Sequence, residues 1–268
     1  MNVLELFSGT GSIGKISEEL GYNVISVDMD REEATHTTDI LNFDYKQYPA
    51  DYFGYIHASP PCAVWSKCKD CWIGRECKSN ISGIKRLFTK EEQRLEIDTL
   101  GKPIVDRTLE IINYFLKGNK NLKYTIENPS GSKMKEHIKL DNYVVDYCKY
   151  ADYGYKKRTR IWSNLKTFQP KLCCKDCNSI IIIEGNKQHK KVLGNGYVIN
   201  AEGKKVLCNT KELRILHRSN CGNTEKLQAV KKAVKDISNG TNLYDRYRIP
   251  PELIRELMMA VINEYEWK

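Results

Sequence analysis

The chain has 268 residues, of which 41% are hydrophobic and 29% charged, and no apolar run approaches the roughly 18 residues needed to cross a membrane. This excludes a membrane-spanning protein and predicts one sizeable core, with room for a small added domain. The first residues lack the basic flank and cleavage site of a signal peptide, so we expect the protein to stay inside the cell.

The net charge of +9 is concentrated in one segment. Residues 165–240 hold 15 Lys and Arg against 6 Asp and Glu, whereas the rest of the chain carries 28 of each sign. Such a segment predicts a polyanionic partner, and the alternative is a lysine-rich solvated surface. The same segment is rich in Asn and Gly and holds half of the ten cysteines, which predicts a small, loop-rich β insert.

The first thirty residues predict the opening unit of a nucleotide-binding α/β sheet. Its parts follow in chain order: a strand over Val3–Phe7, a glycine loop over Ser8–Gly11, a helix over Ser12–Leu20, a strand over Asn23–Val27, and Asp28. This order is typical of a Rossmann-like fold. Because the full Gly-x-Gly-x-x-Gly pattern is missing, the loop favours S-adenosylmethionine over a dinucleotide, and a structural turn is the alternative.

Two later predicted strands end in polar clusters. Tyr55–Ala58 is followed by Ser59-Pro60-Pro61-Cys62, and Lys123–Ile126 is followed by Glu127-Asn128-Pro129. Ligands of open α/β sheets bind at the carboxyl ends of strands, so we expect both clusters to face one crevice. Helices are predicted over Pro103–Leu116 and Pro250–Tyr265.

These clusters supply candidate catalytic residues. Two prolines fix the backbone before Cys62, which favours a nucleophile over the small buried hydrophobe that a lone cysteine usually is. Glu127 is a candidate general acid, and a capping or salt-bridged acid is the alternative. Arg158 and Arg160 alternate along a predicted strand, where they can brace an acid and a phosphate; the alternative is an exposed basic edge.

In this order, the pieces resemble the cytosine-carbon-5 DNA methyltransferases. The resemblance rests on four motifs: Leu4–Gly11, Ser59–Cys62 with Trp65-Ser66, Glu127–Pro129, and Lys156–Arg160. Further segments look most like the compact phage and large-virus branch: Val145–Cys148, Ile161–Asn164 and Ile249–Leu253. The resemblance spans residues 2–165 and 245–262, and four ordered motifs are far more specific than any one of them.

The resemblance implies a mechanism and a cofactor. Cys62 would add to carbon 6 of a cytosine flipped out of duplex DNA, while Glu127 hydrogen-bonds or protonates ring nitrogen 3. Carbon 5 would then take the methyl group of S-adenosylmethionine; Arg158 would orient Glu127 and Arg160 would contact the flipped base. The cofactor site would be lined by Phe7, Gly9, Thr10, Gly11, Asp28, Met29, Asp39, Ile40 and Pro60.

The resemblance also implies a domain organisation. A catalytic domain would span 1–164 and 241–268, and a basic target-recognition domain would span 165–240, in a monomer that acts on double-stranded DNA and not on membranes. Three positions depart from the family pattern: Met29 replaces an aromatic residue, Lys156 replaces Gln, and a Gly-Asn pair is missing before Ile249. These departures affect cofactor and base packing rather than the chemistry, and a companion restriction enzyme stays an open possibility.

In an intracellular chain, cysteines outside the motif are expected to be thiols or metal ligands. Cys174 and Cys177, with Cys208 and Cys221, could form a zinc knuckle that staples the insert. A weaker zinc candidate is Cys68, Cys71 and Cys77 in the loop after the nucleophile, and reduced thiols without metal are the alternative.

Two other functions stay open from the sequence. One is a tRNA or RNA cytosine-5 methyltransferase on the same fold, although the usual RNA enzymes carry a cysteine where this chain has Glu127-Asn128. The other is a catalytically silent DNA-binding homologue, against which the intact Cys62, Glu127 and arginine pair argue.

Overall fold

In a computed structural model of the chain, the structure describes residues 1–183, 185–191, 197–199, 205–207 and 247–265. The strands of the main sheet are β1 (Asn2–Leu6), β2 (Asn23–Asp28), β3 (His36–Thr37), β4 (Tyr55–Ala58), β7 (Lys123–Pro129), β8 (Asn142–Asp146) and β9 (Arg158–Ser163). Three hairpins are formed by β5 (Glu76–Lys78) with β6 (Lys85–Leu87), β10 (Ile180–Ile183) with β11 (Asn186–His189), and β12 (Tyr197–Ile199) with β13 (Lys205–Leu207). The α-helices are α1 (Ser12–Glu19), α2 (Lys90–Glu96), α3 (Lys102–Gly118) and α4 (Pro251–Glu264).

The main sheet has seven strands in the order β3-β2-β1-β4-β7-β9-β8. Neighbouring strands from β3 to β7 run parallel, and β9 pairs antiparallel with β7. The parallel strands carry continuous apolar runs because both faces of such a sheet are covered. The predicted α/β, Rossmann-like fold class is therefore confirmed, with an antiparallel edge that the sequence did not reveal.

The helices bury one face each, as their apolar spacing requires. In α3, Val105, Thr108, Ile112 and Phe115 recur every three or four residues and are buried. α1 ends before Gly21, whose φ of 79° is in the left-handed region that a helix-terminating glycine adopts. The two strands and the helix predicted for the first βαβ unit are present, each within one residue of the expected ends.

A short π-helical segment, Ile97–Gly101, joins α2 to α3. It brings Gly101 so close to the buried Trp65 that a Cβ there would lie 2.9 Å from the Trp65 ring. Glycine is thus required at this position by close packing beneath the segment that follows Cys62.

The chain divides into two compact units. The first contains 1–145, 158–171 and 249–268, and the second contains 146–157 and 172–248. The sequence-based division has different bounds, because it placed 146–157 and 241–248 with the catalytic part and 165–171 with the insert. Within the described ranges, no helix is both long enough and apolar enough to span a membrane.

Candidate active site

The two polar clusters lie at neighbouring strand ends. Ala58, the last residue of β4, pairs with Ile126 of β7, and Glu127 follows that pair directly. Beyond Ala58 the chain leaves the sheet through Ser59, Pro60 and Pro61 and reaches Cys62. The parallel pairing therefore places the Pro-Pro-Cys turn and the Glu-Asn-Pro segment at the same edge of the sheet.

One hydrogen bond joins the two clusters. The Asn128 amide nitrogen donates to the Pro60 carbonyl oxygen at 2.8 Å, and Asn128 is only 1% exposed. A second bond closes the turn, from the Trp65 N–H to the Cys62 carbonyl oxygen at 3.2 Å. Cys62 itself carries a reduced, half-buried thiol, so its sulfur is reachable while its backbone is fixed.

Glu127 is buried, with 7% of its surface exposed. It lies in β7 opposite Ile161 of β9, next to the pair formed by Asn128 and Arg160. Burial of a carboxyl group beside a strand end suits a general acid, because it limits competition from water.

The arginine pair lies on one side of β9. Arg158 is exposed and Arg160 half-buried, whereas Thr159 between them is fully buried, so the predicted alternation is confirmed. Arg160 donates to the side-chain oxygen of Asn142. Its Nε atom and the Asn128 amide oxygen are buried without a hydrogen-bond partner in the described part of the chain, which leaves polar capacity at this edge.

A buried polar chain runs through β4 and β7 to Ser59. Thr125 Oγ1 lies 2.6 Å from the Tyr55 hydroxyl and 2.8 Å from His57 Nδ1, and His57 Nε2 lies 3.0 Å from Ser59 Oγ. Burial lowers the pKa of His57 to about 3, so its ring is neutral. The sequence analysis did not identify this series of hydrogen bonds, although a histidine inside an apolar strand is a visible signal.

The glycine loop has the backbone conformation that its sequence predicts. Gly9 and Gly11 have φ of 46° and 65°, and Phe7 has φ of 59°, which is strained for a residue with a side chain. The Gly9 N–H donates to Asp28 Oδ2 at 2.8 Å, which ties the loop to the end of β2. Ser8 Oγ is buried with no hydrogen-bond partner among the described residues.

The buried side chain of Glu5 in β1 binds the first turn of α1. Its two carboxylate oxygens accept the Ile13 and Gly14 N–H groups at 3.0 and 3.1 Å. Burial raises the pKa of Glu5 to about 7, against the lowering effect of these two bonds. Two of the first N–H groups of α1 are therefore already bound by a side chain of the protein itself.

The other predicted cofactor residues differ in their contacts and exposure. Thr10 Oγ1 lies 2.7 Å from Ser12 Oγ, and Asp39 Oδ1 accepts the Leu41 N–H at 2.9 Å. Ile40 is 5% exposed and Met29 is 62% exposed. The Arg31 guanidinium, missed by the sequence analysis, lies over Gly11, where a Cβ would approach Arg31 Nη1 to 2.5 Å.

The segment after Cys62 is held by one buried ion pair and by one that is partly exposed. Lys69, 5% exposed, pairs with Glu96, 1% exposed. Lys133 Nζ lies 2.6 Å from Asp70 Oδ1 and 2.8 Å from Gln93 Oε1. In the described ranges, the cysteines of the weaker zinc candidate in this segment do not form a cluster of possible metal ligands. Cys68 and Cys71 are exposed, and Cys77 belongs to no such cluster.

The second unit contains a different cysteine set from the predicted one. In the described residues, Cys177 joins Cys148, Cys173 and His189 in a group that could hold a metal. Cys174 is exposed and outside that group. Cys208 and Cys221 lie outside the described residues.

The comparisons with known proteins can be set beside this geometry. No family model matches the chain. It is 38% identical over 176 residues, which are 65% of this chain and 75% of the relative, to the probable DNA (cytosine-5)-methyltransferase of Frog virus 3 (isolate Goorha).

Two solved structures are similar at a low level. Entamoeba histolytica methyltransferase EhMeth is 16% identical with a TM-score of 0.44, and the match covers 65% of this chain and 55% of that one. A mutant of Spodoptera frugiperda DNMT2 is 13% identical with a TM-score of 0.44, and the match covers 97% and 99%.

The fold and the curated relative together define the class: the chain is a methyltransferase. More narrowly, it belongs to the DNA cytosine-5 methyltransferase family, which it shares with this viral relative.

Proposed function

We propose that the chain transfers a methyl group from S-adenosylmethionine to carbon 5 of cytosine in double-stranded DNA, through a covalent adduct of Cys62. The observation that carries this proposal is the hydrogen bond from Asn128 to Pro60, because it couples the turn that bears Cys62 to the strand that bears Glu127. The Frog virus 3 relative, itself a probable DNA enzyme, supports DNA as the substrate.

The residues of the glycine loop fit S-adenosylmethionine better than a dinucleotide. A pyrophosphate needs the first N–H groups of the helix, and in this chain Glu5 already accepts two of them. The cofactor would be held by Phe7, Gly9, Gly11 and the Ser8 hydroxyl, which has no hydrogen-bond partner among the described residues. The remaining predicted cofactor residues are Thr10, Asp28, Met29, Asp39, Ile40 and Pro60. When bound, the cofactor supplies an electrophilic methyl group.

Cysteine addition makes carbon 5 reactive. The Cys62 thiolate forms a bond to carbon 6 of the flipped base, and Glu127 donates a hydrogen bond or a proton to ring nitrogen 3, so that the electron pair reaches carbon 5. After methylation, a base removes the carbon-5 proton, the carbon 5–carbon 6 double bond forms again and the thiolate leaves. Arg158 would orient Glu127 and Arg160 would contact the base.

The basic segment 165–240 supports a nucleic-acid partner. Its excess of nine positive charges equals that of the whole chain, which favours attraction to phosphates without specifying a sequence. We propose that this segment recognises the DNA target, that the enzyme acts inside the cell where that DNA lies, and that it acts as a monomer.

Methyl transfer from labelled S-adenosylmethionine tests the proposal. We expect label in duplex DNA with the native chain and with Cys68→Ala, an exposed cysteine of the same segment, and none with Cys62→Ala. Duplexes with 5-fluorocytosine should trap the native chain covalently, because the fluorine at carbon 5 cannot leave as the proton does.

Three results would contradict the proposal. Label in structured RNA but not in DNA would make the chain an RNA enzyme, and DNA binding without any label would make it a silent binder. A trapped adduct that persists in Cys62→Ala would assign the nucleophile elsewhere. Thermal melting of each variant checks that the fold is retained.

A further inference from the structure

We infer that Cys148, Cys173, Cys177 and His189 form a structural zinc site in the second unit. These residues come from three separate stretches: a turn after β8, the segment before β10, and β11. Their ligand atoms all lie within 4.8 Å of one another, and all four belong to the second unit. Three cysteines and one histidine are a common ligand set of closed, structural zinc sites.

The distances match a tetrahedral ion. His189 Nε2 lies 3.7 Å from Cys173 Sγ and 3.4 Å from Cys177 Sγ. Two such ligands on one tetrahedral zinc are about 3.6 Å apart at normal bond lengths, and two sulfurs are about 3.8 Å apart. The largest separation in the group therefore exceeds that of a closed site by only about 1 Å, which side-chain adjustment can supply.

The backbone of the Cys173–Cys177 turn is held by hydrogen bonds of its own. The Cys174 N–H donates to Asp176 Oδ1 at 3.0 Å, and the Ile180 N–H donates to the Cys177 carbonyl oxygen at 3.2 Å. Lys175 has φ of 62°, a conformation that a residue with a side chain rarely adopts. The short turn that carries two of the four ligands is therefore ordered without a metal.

A second layer of side chains holds the ligands. Asp146, fully buried, accepts the Cys173 N–H at 2.8 Å and pairs with Lys156 Nζ at 3.2 Å. Lys156 Nζ also donates to the Cys173 carbonyl oxygen at 3.0 Å. Three thiolates and one zinc ion leave one negative charge and Asp146 adds another, so Lys156 offsets half of the negative charge nearby. Outer-shell groups of this kind orient metal ligands.

The site gives Lys156 a structural role. Lys156 stands where the family motif has Gln. Its ammonium group contacts the Asp146 carboxylate and the Cys173 carbonyl oxygen, both beside the proposed zinc site. Lys157 follows it, and the chain then enters β9 at Arg158. The metal therefore fixes the residues immediately before the arginine pair as well as the base of the basic segment.

Metal analysis of the full chain tests this inference. We expect about one zinc per chain in the native protein purified without chelator. Cys148→Ser and Cys177→Ser should retain a small fraction of it, while Cys174→Ser, the exposed neighbour, should retain it all. Cys208→Ser and Cys221→Ser should also retain it, because the four ligands complete a tetrahedral set.

Cobalt substitution keeps the test independent of variants that fail to fold. Co²⁺ exchanged into the native chain should give the intense visible bands of a tetrahedral thiolate site, and His189→Cys should keep binding with those bands shifted. The inference is overturned by a native chain that binds neither ion, by zinc that is lost in Cys174→Ser but kept in Cys177→Ser, or by a disulfide between the clustered cysteines under reducing conditions.

Discussion

The unit that contains the main sheet buries large apolar side chains, whereas the described part of the second unit is organised around polar groups. In the first unit, Leu4, Phe53, Ile56 and Phe115 are fully buried in one continuous core. In the second, the largest buried side chains include Tyr147 and Tyr155, and Lys157 lies 4.7 Å from the Tyr147 ring centroid. A small domain with little aliphatic core needs a staple, and the cysteine–histidine group supplies one.

The largest expected effect is the loss of a buried ring from the apolar core of the first unit. Phe115→Ala should lower the free energy of unfolding of the first unit by about 3–5 kcal/mol, because a fully buried ring that packs 4.9 Å from Phe53 is lost. Amide hydrogen exchange of β1, β4 and β7 should rise, while zinc content should be unchanged. The exposed Met259→Ala is the control. Equal loss of zinc would show that the two units do not differ in this way.

The second unit should respond to a polar change instead. Asp146→Ala removes the carboxylate that accepts the Cys173 N–H and pairs with Lys156. Zinc affinity should fall by about 10–100-fold, as for other outer-shell residues. Competition with a chromogenic chelator measures this, with Asp141→Ala, an exposed partner of Lys166, as control. An affinity within twofold of the native value would contradict the assignment of Asp146 to this layer.

A smaller effect should separate the units by pH. The pKa of Glu5 is about 7 in the folded chain against an ordinary 4.5, so the unfolded chain releases its proton first as pH rises. Stability of the first unit should therefore fall between these values, by at most about 1.4 kcal/mol per pH unit. Glu5→Gln should flatten this slope in denaturant titrations, whereas the exposed Glu33→Gln should not. A native slope of opposite sign would refute it.

The sequence was sufficient for the parts of the fold in which local pattern and final environment agree. The predicted limits of the apolar strands β1, β2 and β4 agree with the structure within one residue. The strand β7 continues three residues beyond the predicted end at Ile126, so that Glu127, Asn128 and Pro129 lie inside it. The strand β8 was not predicted, because it lies at the sheet edge and its pattern is not distinctive. The pairing of β7 with β9 is likewise a tertiary feature.

The candidate site likewise contains residues that local sequence predicted and residues that only tertiary contacts reveal. Cys62 follows β4, Glu127 lies near the end of β7 and the arginine pair lies at the start of β9. All of these residues were found from sequence, whereas His57 and the Asn128 bond depend on which strands are neighbours. For the metal group, short spacing favoured Cys174 with Cys177, yet Cys148 and His189 are distant in sequence and are brought in by folding. The spacing of cysteines in the sequence predicts a metal site only where a single turn supplies the ligands.

The hydrogen bond from Asn128 to Pro60 spans 68 positions of sequence. It makes the separation of the proposed nucleophile and the proposed acid a property of the sheet rather than of either side chain. Because the bond joins the two segments directly, it holds them together before any substrate binds. The geometry of the proposed active site thus depends on strand pairing, and the Asn128 side-chain amide links the two segments.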